Sequence, residues 1–80
     1  MFRTLLKTDL LTIDDRTFPI RYFEIRTLRG ARRYSAEIML SPGDRIILDD
    51  DSMTTLEART ARLVPATLYS RLLAGGTTAA

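Results

Sequence analysis

The sequence predicts an α+β fold: a small antiparallel meander sheet of about four to five strands, then one kinked helix or two short C-terminal helices packed on one sheet face. Three observations predict it. Residues Arg33 to Leu40 alternate cleanly, with Tyr34, Ala36, Ile38 and Leu40 on one side and Arg33, Ser35, Glu37 and Met39 on the other. A period of two marks a half-buried strand. Two turn signals, Arg29-Gly30-Ala31-Arg32 and Ser41-Pro42-Gly43-Asp44, bracket that strand. Beyond Asp51 the period changes, and Leu56, Leu63 and Val64, with Ala58 and Ala61, recur at helical spacing.

The elements follow in order. Leu5 to Ile13 suits one or two short strands, or one strand with a bulge near Asp9. Asp14-Asp15-Arg16 reads as a turn. Thr17 to Leu28 is rich in strand formers, but Phe18, Ile20 and Tyr22 share one phase while Phe23 and Ile25 share the other. A bulge or bend near Tyr22 would reconcile them. Pro19 cannot donate a ladder hydrogen bond, so its end of the strand is expected at an edge or a strand start. Gly30 and Gly43 supply positive φ in the two turns, the second of type II with Pro42 before the glycine. Arg45 to Asp49 is the last strand.

Thr54-Thr55-Leu56-Glu57 fits a capping box opening a helix. Pro65 disfavours helix at the residue before it, so one helix is expected to end near Leu63 and a second to open at Pro65. A single kinked helix is the alternative. Gly75-Gly76 is expected to stop it. Residues 1–76 are read as one domain and 77–80 as a flexible tail.

Composition narrows the function classes. The 80 residues contain no histidine, cysteine or tryptophan. Histidine is the side chain that ordinarily titrates near neutrality, and cysteine is the strongest common nucleophile and soft metal ligand. Without them, Ser35, Ser41, Ser52 and Ser70 have no imidazole to activate them. The expectation is a non-catalytic chain with no cofactor, no metal and no small-molecule substrate. Asp49-Asp50-Asp51 is the obvious acidic cluster, but it lacks the spaced ligands and central glycine of a calcium loop. It is read as a strand-to-helix connection whose charge favours the helix N-terminus. The longest apolar run is far too short to span a bilayer, so no membrane insertion is expected. Charges interleave the first residues, which does not fit a signal peptide, and a cytoplasmic location is the default expectation.

Two surfaces remain. Arg26, Arg29, Arg32 and Arg33 crowd one hairpin tip with Tyr34 beside them, a candidate contact for an anion or nucleic acid. Net charge is only +2, a weak field for a polyanion. The second is apolar. Met39 and Ile47 fall on the sheet face opposite Ile38, Ile46 and Leu48, and that face must be covered by the N-terminal strands, a second helix or another chain. Pro19, Met39, Ile47, Leu68, Tyr69, Leu72 and Leu73 are the candidate partner contacts.

Arg29-Gly30-Ala31-Arg32-Arg33, Ala36-Glu37-Ile38 and Thr55-Leu56-Glu57-Ala58 give the stretch from Arg29 to Ala58 a resemblance to the three-strand-plus-helix DNA-binding domains of plant transcription factors and phage integrase arms. The resemblance covers less than half of the chain, and the tryptophans of the plant domain have no counterpart. It implies a nucleic-acid-binding sheet. The leading expectation is a protein-protein interaction module, an accessory or self-associating subunit whose partner is another protein or a second copy. Nucleic-acid binding through the arginine hairpin is the alternative.

Overall fold

The computed structural model describes residues 2–13 and 15–71. Strands β1 (Phe2–Ile13), β2 (Arg16–Arg26), β3 (Arg32–Ser41) and β4 (Asp44–Asp50) precede one helix, α1 (Met53–Ala79). The four strands form an antiparallel meander in the order β1-β2-β3-β4, so β1 and β4 are the edges. The α+β architecture and the single sheet are as the alternation predicts.

The turns carry the expected conformations. Gly30 has φ 81° and Gly43 φ 82°, the left-handed region that side chains with a Cβ disfavour. Gly30 N–H donates to the Thr27 carbonyl at 2.9 Å, and Thr27 N–H to the Ala31 carbonyl at 3.0 Å. The tip is therefore wider than the predicted hairpin, and β2 ends at Arg26 rather than Leu28, whose side chain is exposed in the loop.

β1 differs from expectation at its start and in the place of its bulge. It begins at Phe2, and its irregularity lies between Leu5, paired with Phe23, and Lys7, paired with Tyr22, rather than near Asp9. Leu6 is the extra residue. No bend in β2 is needed at Tyr22. Ile20 and Tyr22 are buried with the helix, while Phe23 is buried on the other face, so the mixed phase of the sequence reflects apolar residues on both faces. Pro19 lies opposite Leu10, one residue before the β2–β3 ladder starts at Ile20 and Ile38. It marks the point where β2 loses its second neighbour, as a residue without an N–H should.

One sheet face carries the core. Ile20, Tyr22, Ala36 and Ile38 pack against Leu56, Val64 and Leu68 of α1, with Leu48, Ile46 and Tyr34 at the margin. Leu56, Thr60, Val64 and Leu68 recur every four residues and are all buried. Thr60 fits this apolar stripe because its hydroxyl donates back to the Leu56 carbonyl at 2.7 Å. α1 packs chiefly on β4 and β3.

One helix expectation is corrected. The N-cap is Ser52, not Thr54: Ser52 Oγ accepts from Thr55 N–H at 3.3 Å, and its carbonyl accepts from Leu56 N–H at 2.9 Å. Glu57 turns away from the cap to accept from Lys7 Nζ at 3.0 Å. Of the two readings of the last segment the single helix is the one that forms, passing through Pro65 without ending. Packing of Val64 and Leu68 on both sides of the proline holds the helix across one missing hydrogen bond. The stop expected at Gly75-Gly76 lies outside the described residues.

Candidate protein-interaction surface

The sheet face away from α1 is assembled by register. Leu5 lies opposite Phe23 and Ser35, which is followed by Asp49 on β4. Thr8, Arg21, Glu37 and Ile47 form the next row. Leu10 with Pro19, and Met39 with Arg45, extend it at one end. Arg3, Ile25 and Arg33 extend it at the other.

No element of the described chain covers this face, yet its centre is buried. Phe23 is 8% exposed and Glu37 5%. Arginines shield them. The Arg3 guanidinium sits 3.7 Å from the Phe23 ring centroid and donates to Glu37 Oε2 at 3.0 Å. Arg21 donates to Glu37 Oε1 at 3.3 Å, and Arg45 lies 3.7 Å from the same oxygen. A buried carboxylate needs such partners. Around this centre stand exposed apolar side chains: Leu5 at 53%, Leu10 at 72%, Met39 at 41% and Ile47 at 51%. The face thus combines four exposed apolar side chains around its centre with an arginine excess, four arginines (Arg3, Arg21, Arg33, Arg45) against Glu37 and Asp49.

The other predicted contacts scatter. Pro19 is exposed on this same face beside Leu10. Leu68 is buried in the core and is not available to a partner, because it closes the four-residue helix stripe. Tyr69 is exposed on α1, away from the sheet core. Leu72 and Leu73 lie outside the residues whose side chains are described. Sequence reasoning did not single out Arg3, Arg21 and Arg45. The signal available was Glu37, a carboxylate in the middle of a strand whose neighbours alternate apolar and polar.

The basic hairpin is partly neutralised. Arg26 pairs with Glu24 at 3.6 Å and Arg33 with Asp51. Arg29 and Arg32 form no ion pair among the described residues. Tyr34 turns to the helix face and packs on the core. The acidic run is likewise occupied. Asp50 accepts from Ser52 N–H and from Arg59, both at 3.0 Å, and the first of these bonds, with the second, holds its carboxyl below the usual range. Among the described residues no three ligating side chains converge as a metal site.

A shallow groove of about 270 Å³ runs between β1 and α1, lined by Asp9, Leu11, Tyr22, Glu57 and Thr60. Its bond to Glu57 raises the Lys7 pKa, and burial raises that of Tyr22, which lines the groove. No helix of the described residues is long and apolar enough to cross a membrane. Comparison of the chain with protein-family models, curated proteins and solved structures gives no match.

Proposed function

We propose that this chain is a non-catalytic protein-interaction module that binds through its helix-free sheet face. One observation carries the reading: Leu5, Leu10, Met39 and Ile47 are exposed together on a face whose centre is closed only by arginine side chains. Exposed apolar side chains gathered on one face favour burial against another protein, at about 25 cal/mol per Å² of apolar surface before association costs. The arginine excess suits a partner that presents carboxylates, and adds orientation and on-rate. The groove of about 270 Å³ beside α1 is small for a metabolite, since such sites run from roughly 300 to 1,000 Å³.

Affinity capture with the wild-type chain and with Met39→Glu/Ile47→Glu tests the reading. A stoichiometric partner held by the wild type and lost by the variant is expected. Identical captured sets contradict it. The nucleic-acid alternative draws on Arg29 and Arg32, the two hairpin arginines without an ion pair among the described residues.

A further inference from the structure

We infer that two copies of this chain join edge to edge through β1, antiparallel, about a two-fold axis at Thr8. The inference rests on the reading of the chain as a protein-binding module and names one partner, a second copy. β1 is a 12-residue edge strand, and every residue from Phe2 to Leu6 and from Thr8 to Leu10 is exposed. An edge of that length is a template for another strand.

The sequence of β1 selects one register. Lys7 and Asp9 share the helix-side face and lie 3.4 Å apart within the chain. An axis at Thr8 sets Lys7 opposite the partner's Asp9, and Asp9 opposite the partner's Lys7. Leu6 is the bulged residue, so pairing resumes beyond it with Leu5 opposite the partner's Leu10. Both leucines lie on the helix-free face and both are exposed, 53% and 72%. The neighbouring registers that keep faces matched move the axis to Lys7 or to Asp9, and each sets like charges against one another. Opposite charges directly across a strand pair stabilise it and like charges destabilise it.

A lysine and a bulge protect an edge against indiscriminate pairing. Asp9, two residues on and on the same face, converts that protection into a register key. Stacking of two helix-free faces would instead bring two arginine-rich surfaces together, which charge repulsion opposes. Edge pairing joins two four-stranded sheets into one and leaves Met39 and Ile47 of that face uncovered.

Sedimentation velocity over a concentration series with charge-swap variants tests this. The wild type is expected to dimerise. Asp9→Lys and Lys7→Asp should each weaken the dimer by about tenfold or more, since two cross-strand pairs turn repulsive. An equimolar mixture of the two variants should dimerise again, and so should the Lys7→Asp/Asp9→Lys double variant alone. Circular dichroism of Asp9→Lys, which leaves the Lys7–Glu57 bond in place, separates lost pairing from lost folding. A wild type that stays monomeric at millimolar concentration overturns the inference. So does a dimer indifferent to both substitutions, or a swapped mixture that is not rescued. None of these outcomes touches the helix-free face, whose reading fails separately if Met39→Glu/Ile47→Glu captures the same partner as the wild type.

Discussion

The Arg3 guanidinium covers the Phe23 ring at 3.7 Å to its centroid. Arg3 belongs to the edge strand and Phe23 to the strand beside it, yet the cation closes a face that no helix reaches. Arg3→Ala should destabilise the fold by about 1–2 kcal/mol, from the lost cation–ring contact and the lost bond to Glu37. Urea unfolding measures it. Arg3→Lys should recover only part of the loss, because an ammonium cannot stack flat on the ring and reach the carboxylate together.

Glu37 is the centre that Arg3, Arg21 and Arg45 share. Glu37→Gln keeps the shape and removes the charge, and should cost about 1–3 kcal/mol, since bonds to a charged group are worth more than neutral ones. A double-mutant cycle with Arg21→Ala checks the assignment. Additive effects would show that the two side chains do not interact in solution.

Ser52 and Thr54 make opposite predictions about the start of α1. Ser52→Ala removes the observed cap and should cost about 1 kcal/mol. Thr54→Ala should change stability by less than about 0.5 kcal/mol, because the exposed threonine makes no capping bond. Thermal unfolding of the two variants distinguishes them.

The meander was legible because β3 alternates without a fault and both flanking turns carry glycine where positive φ is needed. The helix was legible through Leu56 and Val64. Three features were not. The cap shifted to Ser52 because Glu57 is taken by Lys7, fifty residues away in the chain, and a local motif cannot register a distant competitor. The strand phase of β2 read as a defect because Phe23 is buried on a face that alternation assigns to solvent. Only the pairing of β1 shows that Arg3 arrives to cover it. Thr60 gives no apolar signal in its place on the helix stripe, though its hydroxyl is satisfied within its own helix. Of the candidate contacts, Met39 and Ile47 were legible as a second face from parity alone, whereas Leu68 shares the spacing of the core and could not be told from it.

Stability should show no step in the neutral range, since no histidine is present. Tyr22 is raised above 10.0 by burial, and Lys7 above 10.5 chiefly by its bond to Glu57. A raised folded-state pKa contributes stability below the unfolded value and loses it as pH climbs through the folded one. The alkaline decline should therefore begin above pH 10.0. Asp50 is lowered below 3.8, first by Ser52 N–H and then by Arg59, so its contribution is present above that value and fades as pH falls through the folded-state pKa. Denaturant midpoints across the pH range test both limbs. Asp50→Asn should flatten the acid one, and Tyr22→Phe should soften the alkaline one.

If the hairpin bound nucleic acid, affinity for random duplex would fall with salt at a log–log slope near −0.9 per phosphate contacted. With Arg26 and Arg33 engaged by carboxylates, we expect no binding to random duplex at physiological salt and no change on Arg29→Ala/Arg32→Ala. Tight, steeply salt-dependent binding lost in that variant would favour the alternative.

The most direct measurement places a photoreactive amino acid at Ile47 in living cells and compares it with one at Thr55, exposed on the helix. The account predicts a discrete adduct of defined mass from position 47 and none from position 55. No adduct at 47, or the same products from both positions, would contradict the claim that the helix-free face is where this chain works.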